Sequence, residues 1–90
     1  MKFEYDPHKY NSNKQKHGGT LEDAKRLWLA TNVIVSARTL DEPRFMIIGK
    51  LDNNFYSCIY TIRGSDIIRL ISARRSRKSE EVIYHEHIKA

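Results

Sequence analysis

Apolar residues along this chain follow two rhythms, a spacing of three to four in its first third and an alternation of two through its middle. Met1 to Tyr5 alternates on a small scale, with Phe3 and Tyr5 on one side, and predicts a short edge strand. Asp6 followed by Pro7 predicts a helix start, because Asp accepts from first-turn amides and proline lacks only an N–H that has no partner there. Gly18 and Gly19 predict its end after His17, since glycine adopts the left-handed cap that other residues resist. Between Lys9 and Lys16 the only large apolar residue is Tyr10, so this helix has little to bury. Lys9, Asn13 and Lys16 share one of its faces, with His17 beside them.

Thr20 with Asp23 three residues on reads as a capping box for a second helix, and Leu21, Ala24, Leu27 and Trp28 build its apolar stripe. After Asn32 the period drops to two. Val33 to Arg38 predicts a strand, Thr39 to Pro43 a turn and Arg44 to Leu51 the next strand. Asp52 to Asn54 makes a polar connection into Phe55 to Arg63, whose Tyr56, Cys58, Tyr60 and Ile62 line one face. Gly64 and Ser65 turn the chain into a last strand, Asp66 to Arg74. Connections this short predict an antiparallel meander. Ser79, Glu80 and Glu81 predict a final helix with a weak apolar side of Ile83, Tyr84 and Ile88, either a mobile end or a docking element. The sum is an α+β fold in one domain, residues 1–90: a short N-terminal strand, two helices, a four-stranded antiparallel meander and a C-terminal helix.

Charge sharpens the picture. A formal net charge of +5 and a pI near 9.5 point to an anionic partner, nucleic acid first and an acidic protein second. No run approaches the ~20 apolar residues of a membrane span, and no segment pairs a long apolar face with a basic one, so no membrane partner is expected. The opening MKFEYDPHKY lacks the apolar core of a secretory signal, which makes the cytoplasm the expected location. The single cysteine, Cys58, sits mid-strand and reads as a buried small hydrophobe. His8, His85 and His87 show no ligand spacing, and there is no glycine-rich phosphate loop or nucleophile elbow, so neither a metal nor a cofactor is expected.

The densest chemistry lies in Ile67 to Lys78, IIRLISARRSRK. Arg69 is embedded between Ile68 and Leu70, where a guanidinium that keeps its charge needs an anion to meet it. Arg44 opens one strand and Arg63 ends the next, so in a meander the two approach each other at one end of the sheet. Together with Arg69 and Arg74 they suit a groove that tracks phosphates, and Lys9, Arg75, Arg77 and Lys78 extend the basic surface for RNA contacts. Parity is an obstacle: Arg69 and Arg74 point to opposite faces of a regular strand, so either a bulge near Ser72 unites them or Arg74 bends in from the strand end.

RNA cleavage needs no metal, because the ribose 2′-OH serves as nucleophile once it is aligned, deprotonated and faced with cations at the phosphate. Two residues suit the base. Glu42, close to Arg44, is either that base or a turn acid balancing the arginine. His17 is either the base or a helix-end cation favoured by the dipole. A non-catalytic nucleic-acid-binding module, or a basic partner of an acidic protein, fits the same charges.

Several segments together give a more specific expectation. FEYDPHK (Phe3 to Lys9), Asn13 with KHG (Lys16 to Gly18), LEDA (Leu21 to Ala24), Glu42 with Arg44, Ile48 with Gly49, Tyr60 and Thr61 with Arg63, and RLISARR (Arg69 to Arg75) resemble the BrnT toxins. The resemblance implies a RelE-like fold and a type II toxin-antitoxin ribonuclease that arrests growth by cutting mRNA. It also implies a BrnA-type antitoxin covering the active site, with operator DNA bound only through the toxin-antitoxin complex. Carried onto matching positions, it favours Lys16, His17, Glu42, Arg44, Arg63, Arg69 and Arg74 as catalytic residues. Tyr5, Gly19 and Ser76 depart from the usual Trp, β-branched residue and Ala of that pattern, and none of the three removes a charged candidate.

Overall fold

The structure is a computed structural model and describes residues 1–5, 21–37 and 42–89. Its elements are β1 (Lys2–Tyr5), α1 (Leu21–Ala24) continuing as a 3-10 helix (Lys25–Leu29), β2 (Asn32–Ala37), β3 (Arg44–Leu51), β4 (Asn54–Arg63), β5 (Ile67–Arg75) and α2 (Lys78–Lys89). The helix expected over Asp6 to His17, the Thr20 cap and the Thr39–Asp41 part of the turn lie outside the described residues. The α1 turn tightens after Ala24, and Asn32 closes its end by donating from Nδ2 to the carbonyls of Leu27 and Ala30, both at 3.0 Å. The Leu27 carbonyl also accepts from the Ala30 amide at 3.3 Å, so backbone and side chain close this end together.

β2 to β5 form the expected antiparallel meander, but the sheet has five strands, in the order β1-β5-β4-β3-β2. β1 joins the β5 edge in parallel, setting Phe3 beside Ile68 and Glu4 beside Arg69. The β3–β4 hairpin turns on two residues, Asp52 (φ 52°) and Asn53 (φ 71°). Left-handed conformations at both positions match the twist of the flanking strands, and Asx side chains tolerate them. Asn54 therefore begins β4 and is not part of the connection.

Residues that face one another across antiparallel strands share a side of the sheet, so the register sorts every side chain. One side packs against α1: Leu21, Ala24 and Leu27 meet Ile47, Leu51, Cys58, Tyr60, Leu70 and Ala73. Phe3, Trp28, Tyr60 and Phe45 run through this core as edge-on and tilted rings, with centroids 5.1, 5.0 and 5.5 Å apart in succession. Gly49 lets the helical segment come close, since a Cβ there would stand 2.9 Å from Leu27 Cδ2. Cys58 is fully buried as expected, and burial pushes its thiol up to about 12. Ile62, assigned by alternation to the same face, is half-exposed at the strand end.

The other side of the sheet is divided. α2 lies over β2 and β3, where Val33 and Ile48 are buried and Phe55 stacks edge-on against Tyr84 at 5.1 Å and His85 at 5.2 Å. The rest of that side holds arginines. Their arrangement depends on a bulge: Ile59 faces Ser72, the next residue Tyr60 faces Leu70, and Ile71 is left without a counterpart on β4. The extra residue reverses the alternation of β5, so Arg69, opposite Thr61, and Arg74, opposite Ser57, point to the same side.

Candidate functional site

Thr61 is the centre of the site. It faces Arg69 on β5, and one step beyond the Phe45–Tyr60 pair it also faces Arg44 on β3. With strands spaced about 4.8 Å apart, the two arginines flank it in one transverse row. Arg63, two residues along β4 from Thr61, returns to the same side. Arg44 and Arg63 thus meet at one end of the sheet, as the meander geometry predicts, while Arg69 lies on the same side and directs its head to Glu4 on β1.

Carboxylates brace this cluster. Glu42 lies 3.8 Å from Arg44 Nη2 and 3.7 Å from Arg63 Nη2, joining the start of β3 to the end of β4. Those separations exceed hydrogen-bonding distance, so the contacts are loose ionic ones. Arg69 donates from Nη1 to Glu4 Oε2, its neighbour on β1. Glu4 therefore supplies the anion that the apolar surroundings of Arg69 require, and about a third of each side chain remains exposed. The Nε of Arg44 is buried and has no hydrogen-bond partner among the described residues. A donor left unmade in this way favours any rearrangement that brings an acceptor to it.

Arg74 has a different setting. Its Nη1 and Nη2 donate to Glu80 Oε1 and Oε2, both at 2.7 Å, a parallel two-bond pair. Glu80 also accepts from Ser57 Oγ and from the Arg77 amide, each at 2.9 Å. The last bond is the reach of a third helical residue back to its N-cap, so the carboxylate opens α2 and anchors it to β5 at once. Burial works to raise the Glu80 carboxyl, but the bonds from Arg74, Arg77 and Ser57 outweigh it and hold it at about 2. The bulge expected near Ser72 is thus present and unites Arg69 and Arg74 on one side, yet Arg74 is taken up in holding α2.

The remaining candidates divide. Arg75 points to the α1 side and lies over the Tyr56 ring, 5.7 Å from its centroid. Arg77 and Lys78 are exposed at the start of α2. Lys9, Lys16 and His17 lie outside the described residues. Glu4, Thr61 as a site residue and Glu80 were not found by sequence reasoning. Alternation did place Glu4 on the side away from Phe3 and Tyr5, but nothing in the sequence says that β1 runs beside β5. Among the described residues no three His, Cys, Asp or Glu side chains are grouped to hold a metal ion, and no helix is long and apolar enough to cross a membrane.

Three arginines lie on one side of a mixed sheet in an α+β domain, Arg69 bonded to Glu4 and the other two in looser ionic contact with Glu42. A family model described as "Ribonuclease toxin, BrnT, of type II toxin-antitoxin system" matches residues 5–80, and the chain belongs to that family. The crystal structure of the Brucella abortus ribonuclease toxin BrnT is similar, with a TM-score of 0.67 and 26% identity over 87% of this chain and 99% of that one. Among curated proteins none matches.

Proposed function

We propose that this chain is an endoribonuclease toxin with a RelE-like fold that cleaves RNA without a metal ion, and that its reaction centre is the Arg44, Arg63 and Arg69 cluster. The observation that carries the proposal is Glu42 set between Arg44 and Arg63, with Arg69 in register with Thr61 on the same side of the sheet. The contacts to Glu42, at 3.8 and 3.7 Å, leave Arg44 and Arg63 able to donate to the two non-bridging oxygens of a phosphodiester at hydrogen-bonding distance. When RNA binds, its scissile phosphate takes over Arg44 and Arg63, and the displaced Glu42 carboxylate is left beside the ribose. There it accepts the 2′-OH proton. The 2′ oxygen attacks phosphorus, the P–O5′ bond breaks and the leaving 5′ oxygen takes a proton from water, and the products are a 2′,3′-cyclic phosphate and a 5′-OH. The arginines stabilise the extra negative charge at phosphorus. His17 remains the alternative base. Lys9, Arg75, Arg77 and Lys78 are proposed contacts for flanking RNA, and Lys16 is a further proposed catalytic residue.

Membership of a type II toxin family supports a cognate antitoxin, proposed as a BrnA-type protein that covers the arginine cluster and carries the toxin to operator DNA. The proposal places the active toxin in the cytoplasm, where mRNA cleavage stops translation and growth. The test is incubation of the purified, antitoxin-free chain with RNA in excess EDTA. Cleavage with cyclic phosphate ends is expected. Intact RNA from folded protein overturns the metal-independent mechanism, and binding without cleavage would favour a non-catalytic nucleic-acid module.

A further inference from the structure

We infer that Thr61 is a positioning residue, whose buried hydroxyl sets the Glu42–Pro43–Arg44 segment into register with the other two arginines. The inference rests on the phosphate-binding reading above and adds to it a residue that touches neither substrate nor reacting atoms. Thr61 is 1% exposed, and its Oγ1 donates to the Pro43 carbonyl at 2.6 Å. That bond spans two strands and ends between the two charged residues that matter, Glu42 and Arg44. Proline supplies a second constraint: its ring fixes its own φ and disfavours helical conformations at Glu42 before it. One carbonyl pinned by a hydroxyl and one torsion fixed by a ring leave the backbone of this tripeptide little freedom. Valine has the same shape and strand preference as threonine, so packing and propensity alone give no reason for a hydroxyl here. Without it, the Pro43 carbonyl loses its partner and the segment seeks another arrangement.

The test compares the full chain with Thr61→Val, Thr61→Ala, Thr61→Ser and Pro43→Gly. Affinity for a fluorescent 2′-O-methyl RNA, which cannot be cleaved, is read by anisotropy across a salt series, beside kcat and KM on unmodified RNA and the melting midpoint. Affinity should follow the hydroxyl: Ser binds as the parent does, while Val and Ala bind about tenfold more weakly, the cost of one hydrogen bond. Val and Ala should also show a shallower salt dependence, because fewer phosphate contacts form. Pro43→Gly, at an exposed position, weakens binding in the same way with the sheet untouched. A purely structural Thr61 predicts lowered midpoints with parental affinity below them, and that result, or parental affinity in Pro43→Gly, overturns the inference. A parent chain that binds but does not cleave overturns the ribonuclease reading instead, while the affinity series still decides the role of Thr61. A parent chain that does not bind overturns both.

Discussion

Arg74 and Glu80 join the end of β5 to the first turn of α2 through two parallel hydrogen bonds, in the least exposed of the ion pairs among the described residues. Because a buried pair is costly to break from one side, Glu80→Gln should destabilise the chain by about 3–5 kcal/mol. A melting midpoint lowered by more than ~10 °C is the expected result. A change of a degree or two would mean that α2 is held by packing alone.

Acid should act on the same pair. The Glu80 carboxyl is depressed in the folded chain, so its contribution is fully present above the ordinary carboxylate range and is lost as pH falls from about 4.5 towards about 2. Midpoints measured across this range should fall more steeply for the parent chain than for Glu80→Gln, which no longer has that proton to gain. Parallel curves would show that other carboxylates dominate.

Arg69→Ala separates site from scaffold. Its partner Glu4 and its own head are each about a third exposed, and pairs so placed contribute roughly 1 kcal/mol or less. The variant should therefore melt within a few degrees of the parent while RNA cleavage falls about a hundredfold or more. Collapse of the fold would make Arg69 a structural residue.

Glu42→Gln distinguishes a base from a counter-ion. A base is needed only for turnover, so cleavage should drop by at least about 10²-fold. Affinity for uncleavable RNA should hold or rise, since the neutral amide no longer competes with phosphate for Arg44 and Arg63. Retained cleavage would turn attention to His17.

Gly49→Ala probes the other side of the sheet. The added Cβ meets Leu27 Cδ2 at 2.9 Å and the Thr31 carbonyl at 3.2 Å, so the helical segment has to lift. Overpacking of this kind costs about 1–3 kcal/mol, read as a lowered midpoint in thermal unfolding. An unchanged midpoint would mean that Leu27 swings aside without loss.

The meander was legible because β2 to β5 are extended runs rich in β-branched and aromatic residues and are separated by residues with defined turn chemistry, such as Asp52 and Gly64. From that register alone Arg44 and Arg63 were brought together. What escaped is non-local. No feature within Lys2 to Tyr5 indicates a parallel partner sixty-five residues away, so the Glu4–Arg69 pair was invisible. The start of α2 misled for a different reason. Ser79 reads as a helix cap, yet the observed N-cap is Arg77, whose side chain offers no oxygen, and Glu80 makes the bond from inside the helix. A polar terminal helix looked uncommitted because the residue that commits it is an acid whose partner lies on a strand.

Ile71, the unmatched residue of β5, works as a frame correction. Everything before it and everything after it is read in a different phase, so one strand can present Arg69 to Glu4 and Arg74 to Glu80 on the same surface while Leu70 and Ala73 both stay in the core. Deleting that residue would change no chemistry in the chain and would still exchange inside for outside over a whole strand end, pushing Arg74 towards the apolar core and Ala73 towards solvent. For this protein the damaging lesion in β5 is a loss of count, and no substitution of one side chain for another reproduces it.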